Sequence, residues 1–241
     1  MKEKEEKQLY LIWKEYIDVP IYRVVVERDY SQILKNGLDP HKNPFKKILP
    51  LINKLLRIVE NLESKEFVML FSWGTKKASG SYMVKTAIDD ISASGIDFTP
   101  SEKEVEYYMM VKGGGTVWSI RRVIKRLIEE HLPLSKGELK IVRYLKKWAE
   151  KRICENKAIY VFGSIQALEN AFLYLLREEK RKVKFKRKPR EYLESPFGSF
   201  EHFKKIIKKY GLRKYLYWLK TQKFYLRVKN KIPASEIKRL K

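Results

Sequence analysis

The chain has 241 residues, 44% of them apolar, with a formal charge of +24 and a pI near 9.9. That apolar share is enough for a core and argues against disorder, and no apolar run approaches the ~18–20 residues of a transmembrane helix. The single cysteine, Cys154, excludes an internal disulfide and a multi-cysteine zinc site, and His41, His131 and His202 are too scattered to suggest a metal.

The N-terminus, MKEKEEKQLYLIW, is charged and lacks the long apolar stretch of a signal peptide, so a cytoplasmic protein is expected. Residues 1–8 read as a frayed tail, followed by one short helix carrying Tyr10, Leu11, Trp13, Tyr16 and Ile17. Pro20 ends it. The β-branched run Ile21–Val26 predicts a strand. Asp29 and Gln32 have nearly the spacing of a capping box, and Gly37 stands where a helix over Tyr30–Asn36 would stop, with Leu38 just beyond.

Ile48, Leu51, Ile52, Leu55, Leu56, Val59 and Leu62 form a helical stripe over 45–62, with Pro50 suited to the first turn. Phe67–Trp73 is a near-continuous apolar run and predicts a buried strand; Gly74–Gly80 reads as a loop, and Tyr82–Ile91 as a helix or a strand, the helix being preferred. Ile96–Thr99 fits a short strand, and Ser101 with Glu104 a second capping box. Lys112-Gly113-Gly114-Gly115 then precedes a helix over Val117–His131. Glycines before a helix can aim backbone N–H groups at a phosphate. A flexible turn or a tight packing point is the plainer reading, because the ending of a Walker loop is missing. Arg121, Arg122, Lys125 and Arg126 form a basic face on that helix, either functional or merely solvated.

Ser135 and Glu138 predict a capped helix to about Ile153. Cys154 continues that amphipathic pattern and reads as an inert thiol. A strand over Ala158–Phe162 and a helix over Gln166–Leu176 follow. Residues 200–219 give one helix or two broken near Gly211, then a strand over Phe224–Val228 and a turn into a short terminal helix at Lys231–Ile237.

The charge is unevenly placed. From Arg177 to the C-terminus there are 23 Lys and Arg against 6 Asp and Glu. Eight of the eleven residues of KRKVKFKRKPR are cationic: Lys180, Arg181, Lys182, Lys184, Lys186, Arg187, Lys188 and Arg190. Within it, cation and apolar residue alternate, so an extended chain would present its cations on one face. A solvated linker is the bland alternative. Lys204, Lys205, Lys208 and Lys209 lie on the outer face expected for the next helix; beyond Gly211, Arg213 and Lys214 interleave with Tyr215, Tyr217 and Trp218. Aromatics among cations suit unpaired bases or a core with a basic rim. A charge of this size normally needs a counter-charge, and nucleic acid is the commonest. Anionic membrane is disfavoured, because these segments lack a large apolar face. The abundance of Lys, Glu, Arg and Ile also resembles thermophile usage, although Lys gained that way comes with matching Glu.

Three stretches together resemble the ADP-ribosyltransferase fold: Ile21–Pro40 (its opening strand, helix and "GL" turn), Ile159–Leu176 (a strand–Ser–helix segment), and Phe224–Ile237 (the final strand and "IPxxxI" ending). Asp97–Tyr108 competes for the middle role. The resemblance implies NAD as cofactor, with Arg23 on the dinucleotide and Ser164 or Tyr108 as the middle residue. The start of the last strand, where the family carries its catalytic Glu, here holds Gln222, Lys223 and Tyr225. No other catalytic constellation is evident.

The expected architecture is α+β, with a core domain over 1–176 and a strongly basic region over 177–241 that completes the sheet and contacts nucleic acid. The expected function is nucleic-acid binding, with RNA or a ribonucleoprotein such as the ribosome favoured over DNA and no cofactor. The alternatives are an NAD-dependent ADP-ribosyl-transferring enzyme and a DNA-binding replication or mobile-element protein.

Overall fold

β1 (Pro20–Val26) and β5 (Asn156–Phe162) pair antiparallel along their whole length, Pro20 opposite Phe162 and Val26 opposite Asn156. Strand alternation gives this ribbon two different faces. Ile21, Val25, Ile159 and Val161 enter the larger core, while Tyr22, Val24, Ala158 and Tyr160 meet Val105 and Met109 of α5 (Glu102–Met109) on the other side. β9 (Lys238–Arg239) extends the ribbon at the far edge of β5. The computed structural model describes residues 3–43, 45–67, 69–73, 76–93, 95–163, 165, 168–169, 171–174, 192–221 and 225–240.

The second sheet has the order β4 (Ile96–Phe98), β8 (Tyr225–Val228), β6 (Phe172–Tyr174), β7 (Tyr192–Glu194), with antiparallel pairing throughout. The two sheets join where Tyr22 and Thr99 exchange backbone hydrogen bonds of 2.8 and 2.9 Å. α1 (Glu3–Ile17) lays Leu9, Trp13 and Ile17 on this core at spacings of four, and α2 (Glu27–Asn36) follows β1 directly. Leu38 and Ile232 exchange hydrogen bonds of 2.9 Å in each direction. Gly37, at φ 79°, permits that approach: a Cβ there would lie 2.2 Å from the Ile232 carbonyl oxygen. The three stretches that carry the resemblance thus contribute to one core.

A second core is mostly helical. α3 (Leu49–Ser64), α4 (Gly80–Ser92), α6 (Gly115–Glu129) and α7 (Lys136–Glu150) bury Leu55, Met83, Ile120 and Leu145 together, alongside the antiparallel pair β2 (Leu70–Trp73) and β3 (Lys76–Ser79). α8 (Phe200–Tyr210) and α9 (Leu212–Thr221) return to the first core. The architecture is mixed α+β with small antiparallel sheets. No helix among the described residues is long and apolar enough to cross a membrane.

Several local expectations are corrected. Helix α1 starts at Glu3: three glutamates in its first turn suit the helix dipole, and Glu6 ties it to Lys204 of α8 at 2.8 Å. Lys76–Ser79 is a strand rather than a loop, because β2 supplies a pairing edge. Phe172–Tyr174 is a strand rather than part of a helix: it lies between β7 and β8, and both ladders use its backbone. The C-terminal helix is only a 3₁₀ turn at Ala234–Glu236 before β9. Of three expected capping boxes only Ser135–Glu138 forms. α2 begins at Glu27, before the expected cap, and Glu104 turns away from Ser101 to accept from the Thr99 hydroxyl at 3.0 Å. Cys154 lies beyond the end of α7, half-buried.

Candidate nucleic-acid interface

The α8–α9 corner is held from inside. Ser199 caps α8, its hydroxyl oxygen accepting from the His202 N–H at 3.1 Å while donating to Glu169 at 3.0 Å. Phe203 and Ile206 are fully buried, which turns the lysines of the following turns outward. Gly211 ends α8 at φ 77° and its carbonyl receives the Tyr215 N–H of the next helix. Tyr215 anchors α9: its ring is buried and its hydroxyl donates to the Glu194 carbonyl at 2.8 Å. Burial raises that phenol well above its ordinary range.

With Tyr215 inward, Arg213, Lys214 and Tyr217 point out, and Tyr217 is 69% exposed. Together with Gly211 and Leu212 they line a shallow depression of about 540 Å³. Of the four lysines on α8, two serve the fold. Lys204 bridges Glu6 and Glu201 at 2.8 and 2.5 Å, and Lys209 pairs with Glu194 at 3.0 Å. These hydrogen bonds raise the pKa of both. Lys205, Lys208, Arg213 and Lys214 are exposed and pair with no acidic side chain among the described residues. The corner therefore offers four available cations, two of which, Arg213 and Lys214, line one depression with the exposed Tyr217 ring. That chemistry suits phosphate and an unpaired base.

The basic run Lys180–Arg190 lies outside the described residues. Its flanks are placed: Tyr174 and Tyr192 are partners across the β6–β7 ladder, and Tyr174 also faces Tyr225 on β8. Three neighbouring strands thus bring these positions to one end of the sheet. Thr221, the last residue of α9, stands four residues before Tyr225, within ~14 Å of it along an extended chain. β7 also contacts the α8–α9 corner directly, through Glu194.

The other expected sites are differently engaged. Lys112 pairs with Glu155 at 2.6 Å. The Gly113 N–H donates to the Cys154 carbonyl and the Gly114 N–H to that of Val111, both at 3.0 Å. A Cβ on Gly113, at φ 80°, would come within 2.7 Å of the Arg152 carbonyl oxygen, so the backbones pack tightly here. Gly115 opens α6. On α6, Arg122 and Arg126 lie over the Phe71 ring at 5.4 and 5.3 Å, Arg122 also covers Trp118, and Lys125 pairs with Glu129. Arg126 also donates to Glu130 and to the Leu70 carbonyl. Arg121 remains outward.

Arg23 is half-buried and donates from Nη1 to the Asp97 carbonyl at 2.8 Å, near the junction of the two sheets. Beside it lies a polar cluster that sequence reasoning missed. Asp97 receives Arg227 on both oxygens, and the Tyr225 phenol meets Tyr108 and Glu104. Burial first, and then these neighbours, push the Tyr225 pKa far up. No spacing in the sequence announces contacts between residues so far apart. Ser164, Gln222 and Lys223 lie outside the described residues, as does the Trp218 side chain. No group of three His, Cys, Asp or Glu able to hold a metal occurs among the described residues. Comparison with protein-family models, curated proteins and solved structures returns no match.

Proposed function

We propose that this protein binds nucleic acid through phosphate contacts, with structured RNA or a ribonucleoprotein such as the ribosome favoured over DNA. The observation that carries the reading is the α8–α9 corner, where Arg213 and Lys214 flank the exposed Tyr217 and Lys205 and Lys208 lie exposed on the preceding helix, all four without acidic partners among the described residues. The strongly basic run Lys180–Arg190, between β6 and β7 in the chain, supplies further cations. The exposed ring favours RNA, whose specific recognition centres on unstacked bases in loops and bulges. The test is a salt titration of binding to duplex DNA, single-stranded RNA and ribosomal particles. Neutralising Lys205, Lys208, Arg213 and Lys214 together should make the salt dependence shallower, by roughly 0.7–0.9 in log–log slope for each phosphate no longer neutralised. Weak binding, indifferent to ligand and to the substitutions, would sink the reading.

A second reading rests on the mutual hydrogen bonds of Leu38 and Ile232 and the β1–β5 pairing, which join the stretches resembling the ADP-ribosyltransferase fold. On that reading the chain holds NAD near Arg23 and transfers ADP-ribose to nucleic acid or protein. It requires saturable NAD binding that weakens in Arg23→Ala. Calorimetric titration showing no NAD binding to the intact chain would remove it.

A further inference from the structure

We infer that α7 carries a second contact surface for nucleic acid, and that the strand it takes is unpaired. This rests on the proposed function and adds both a site and a substrate class to it.

Lys136, Lys140, Arg143 and Lys147 recur at spacings of four, three and four. At 3.6 residues per turn they fall on one stripe, within roughly 60° of arc and ~16 Å of length. All four are exposed, and none pairs with an acidic side chain among the described residues. The nearby acids are committed elsewhere: Glu138 closes the capping box with Ser135, and Glu150 faces Lys146 at 3.8 Å. The opposite arc is the buried one: Val142 and Leu145 enter the helical core, and Ala149 is fully buried. Packing therefore fixes which face looks out. Like charges four residues apart destabilise a helix, so the stripe works against the helix that carries it. A polyanion along it would relieve the repulsion.

Tyr144 distinguishes this from a merely solvated face. Its ring is 55% exposed and sits at the edge of the stripe, one residue from Arg143 and four from Lys140. With Leu139 it joins the four cations in lining a shallow depression of about 380 Å³. The α8–α9 corner has the same composition, with Tyr217 beside Arg213 and Lys214. Two helices from different cores thus present an exposed tyrosine among available cations. A duplex hides the faces of its bases, so such a ring gains nothing from it beyond what a lysine would. An unpaired strand offers a phosphate to the cations and a base to the ring within one nucleotide.

The test uses the intact chain, fluorescence anisotropy, a single-stranded oligouridine, and the same oligouridine paired with oligoadenine. Tyr144→Ala should weaken oligouridine binding about tenfold, Tyr144→Phe should restore it, and binding to the duplex should not change. Replacing Lys140, Arg143 and Lys147 by Gln should lower the salt slope for oligouridine by about 2. Helicity measured by circular dichroism should be unchanged, since every altered side chain is exposed. If neutralising Lys205, Lys208, Arg213 and Lys214 together weakens binding but the α7 variants leave affinity and slope as they were, the α7 inference falls and the proposed function stands. If the unaltered chain binds neither nucleic acid, both fall. Equal loss of duplex and single-strand binding in Tyr144→Ala would overturn the unpaired-strand assignment. Binding to phosphatidylserine vesicles with the same Tyr144 dependence would overturn the choice of polyanion.

Discussion

Asp97 and Arg227 stand 130 residues apart in sequence and face each other across the β4–β8 ladder. The guanidinium donates to both carboxylate oxygens, at 2.6 and 2.8 Å, and the Arg227 side chain is only 5% exposed. Gly95 makes room for it: a Cβ there would lie 2.6 Å from Arg227 Cγ. The pair fastens β8, near the C-terminus, to β4, the strand that follows α4.

Removing one partner should cost more than removing both. Asp97→Ala leaves a guanidinium buried without its carboxylate, and should destabilise the chain by roughly 3 kcal/mol, toward the low end for a buried pair because Asp97 is about one-third exposed. Arg227→Met combined with Asp97→Ala should recover part of that loss. Urea unfolding of the three variants measures it; a single-variant loss under about 1 kcal/mol would show the pair to be incidental.

Two glycines should respond in opposite directions to alanine. At Gly37 φ is positive and an added Cβ would meet the Ile232 carbonyl oxygen at 2.2 Å, so Gly37→Ala should cost about 2 kcal/mol or more. Gly137, in the first turn of α7 with nothing within 4 Å, should gain up to ~1 kcal/mol from the reduced freedom of the unfolded chain. Thermal unfolding of the two variants decides, and equal shifts would contradict the argument.

High pH should destabilise the chain through Tyr22, which is buried, and Tyr108, which is half-buried. Burial, and then the 2.6 Å hydrogen bond to Glu102, push the Tyr22 phenol up from 10.0 to about 12; burial likewise raises Tyr108 to about 12. A raised pKa means that the folded state holds its proton longer than the unfolded chain does. The contribution is complete below pH 10 and is lost as pH rises from there through about 12. Stability measured against pH should therefore fall above about 10, and more gently in Tyr22→Phe or Tyr108→Phe. A flat profile across that window would contradict the burial of these phenols.

The basic face of α6 should prove structural. Arg122→Ala and Arg126→Ala each remove a guanidinium stacked on Phe71, and each should cost about 1 kcal/mol of stability while leaving RNA affinity within about twofold. Arg121→Ala should change neither. Chemical denaturation alongside an RNA titration separates the two effects, and a large affinity loss in Arg122→Ala would place α6 in the interface.

The candidate interface was legible in sequence as composition, less so as geometry. The outward positions of Lys205 and Lys208 follow from the spacing of Phe203 and Ile206. That Lys204 and Lys209 are held by Glu6 and Glu194 does not, because those acids come from α1 and β7. Tyr215 and Tyr217 are two residues apart in one basic helix, and only packing makes one an anchor and the other an exposed ring.

What the sequence determined by itself is the structure that neighbours within about four residues decide: the apolar stripe and early Pro50 of α3, the Ser135–Glu138 cap of α7, and the stop at Gly37. Tertiary structure decided the rest. Phe172–Tyr174 became a strand because two ladders needed its backbone, Glu104 left its expected cap for Thr99, and Asp97 met Arg227. The physical reason is reach: caps and periods act between residues already held close by the chain, whereas strand partners and buried charges find one another only when two distant segments collapse onto a common core.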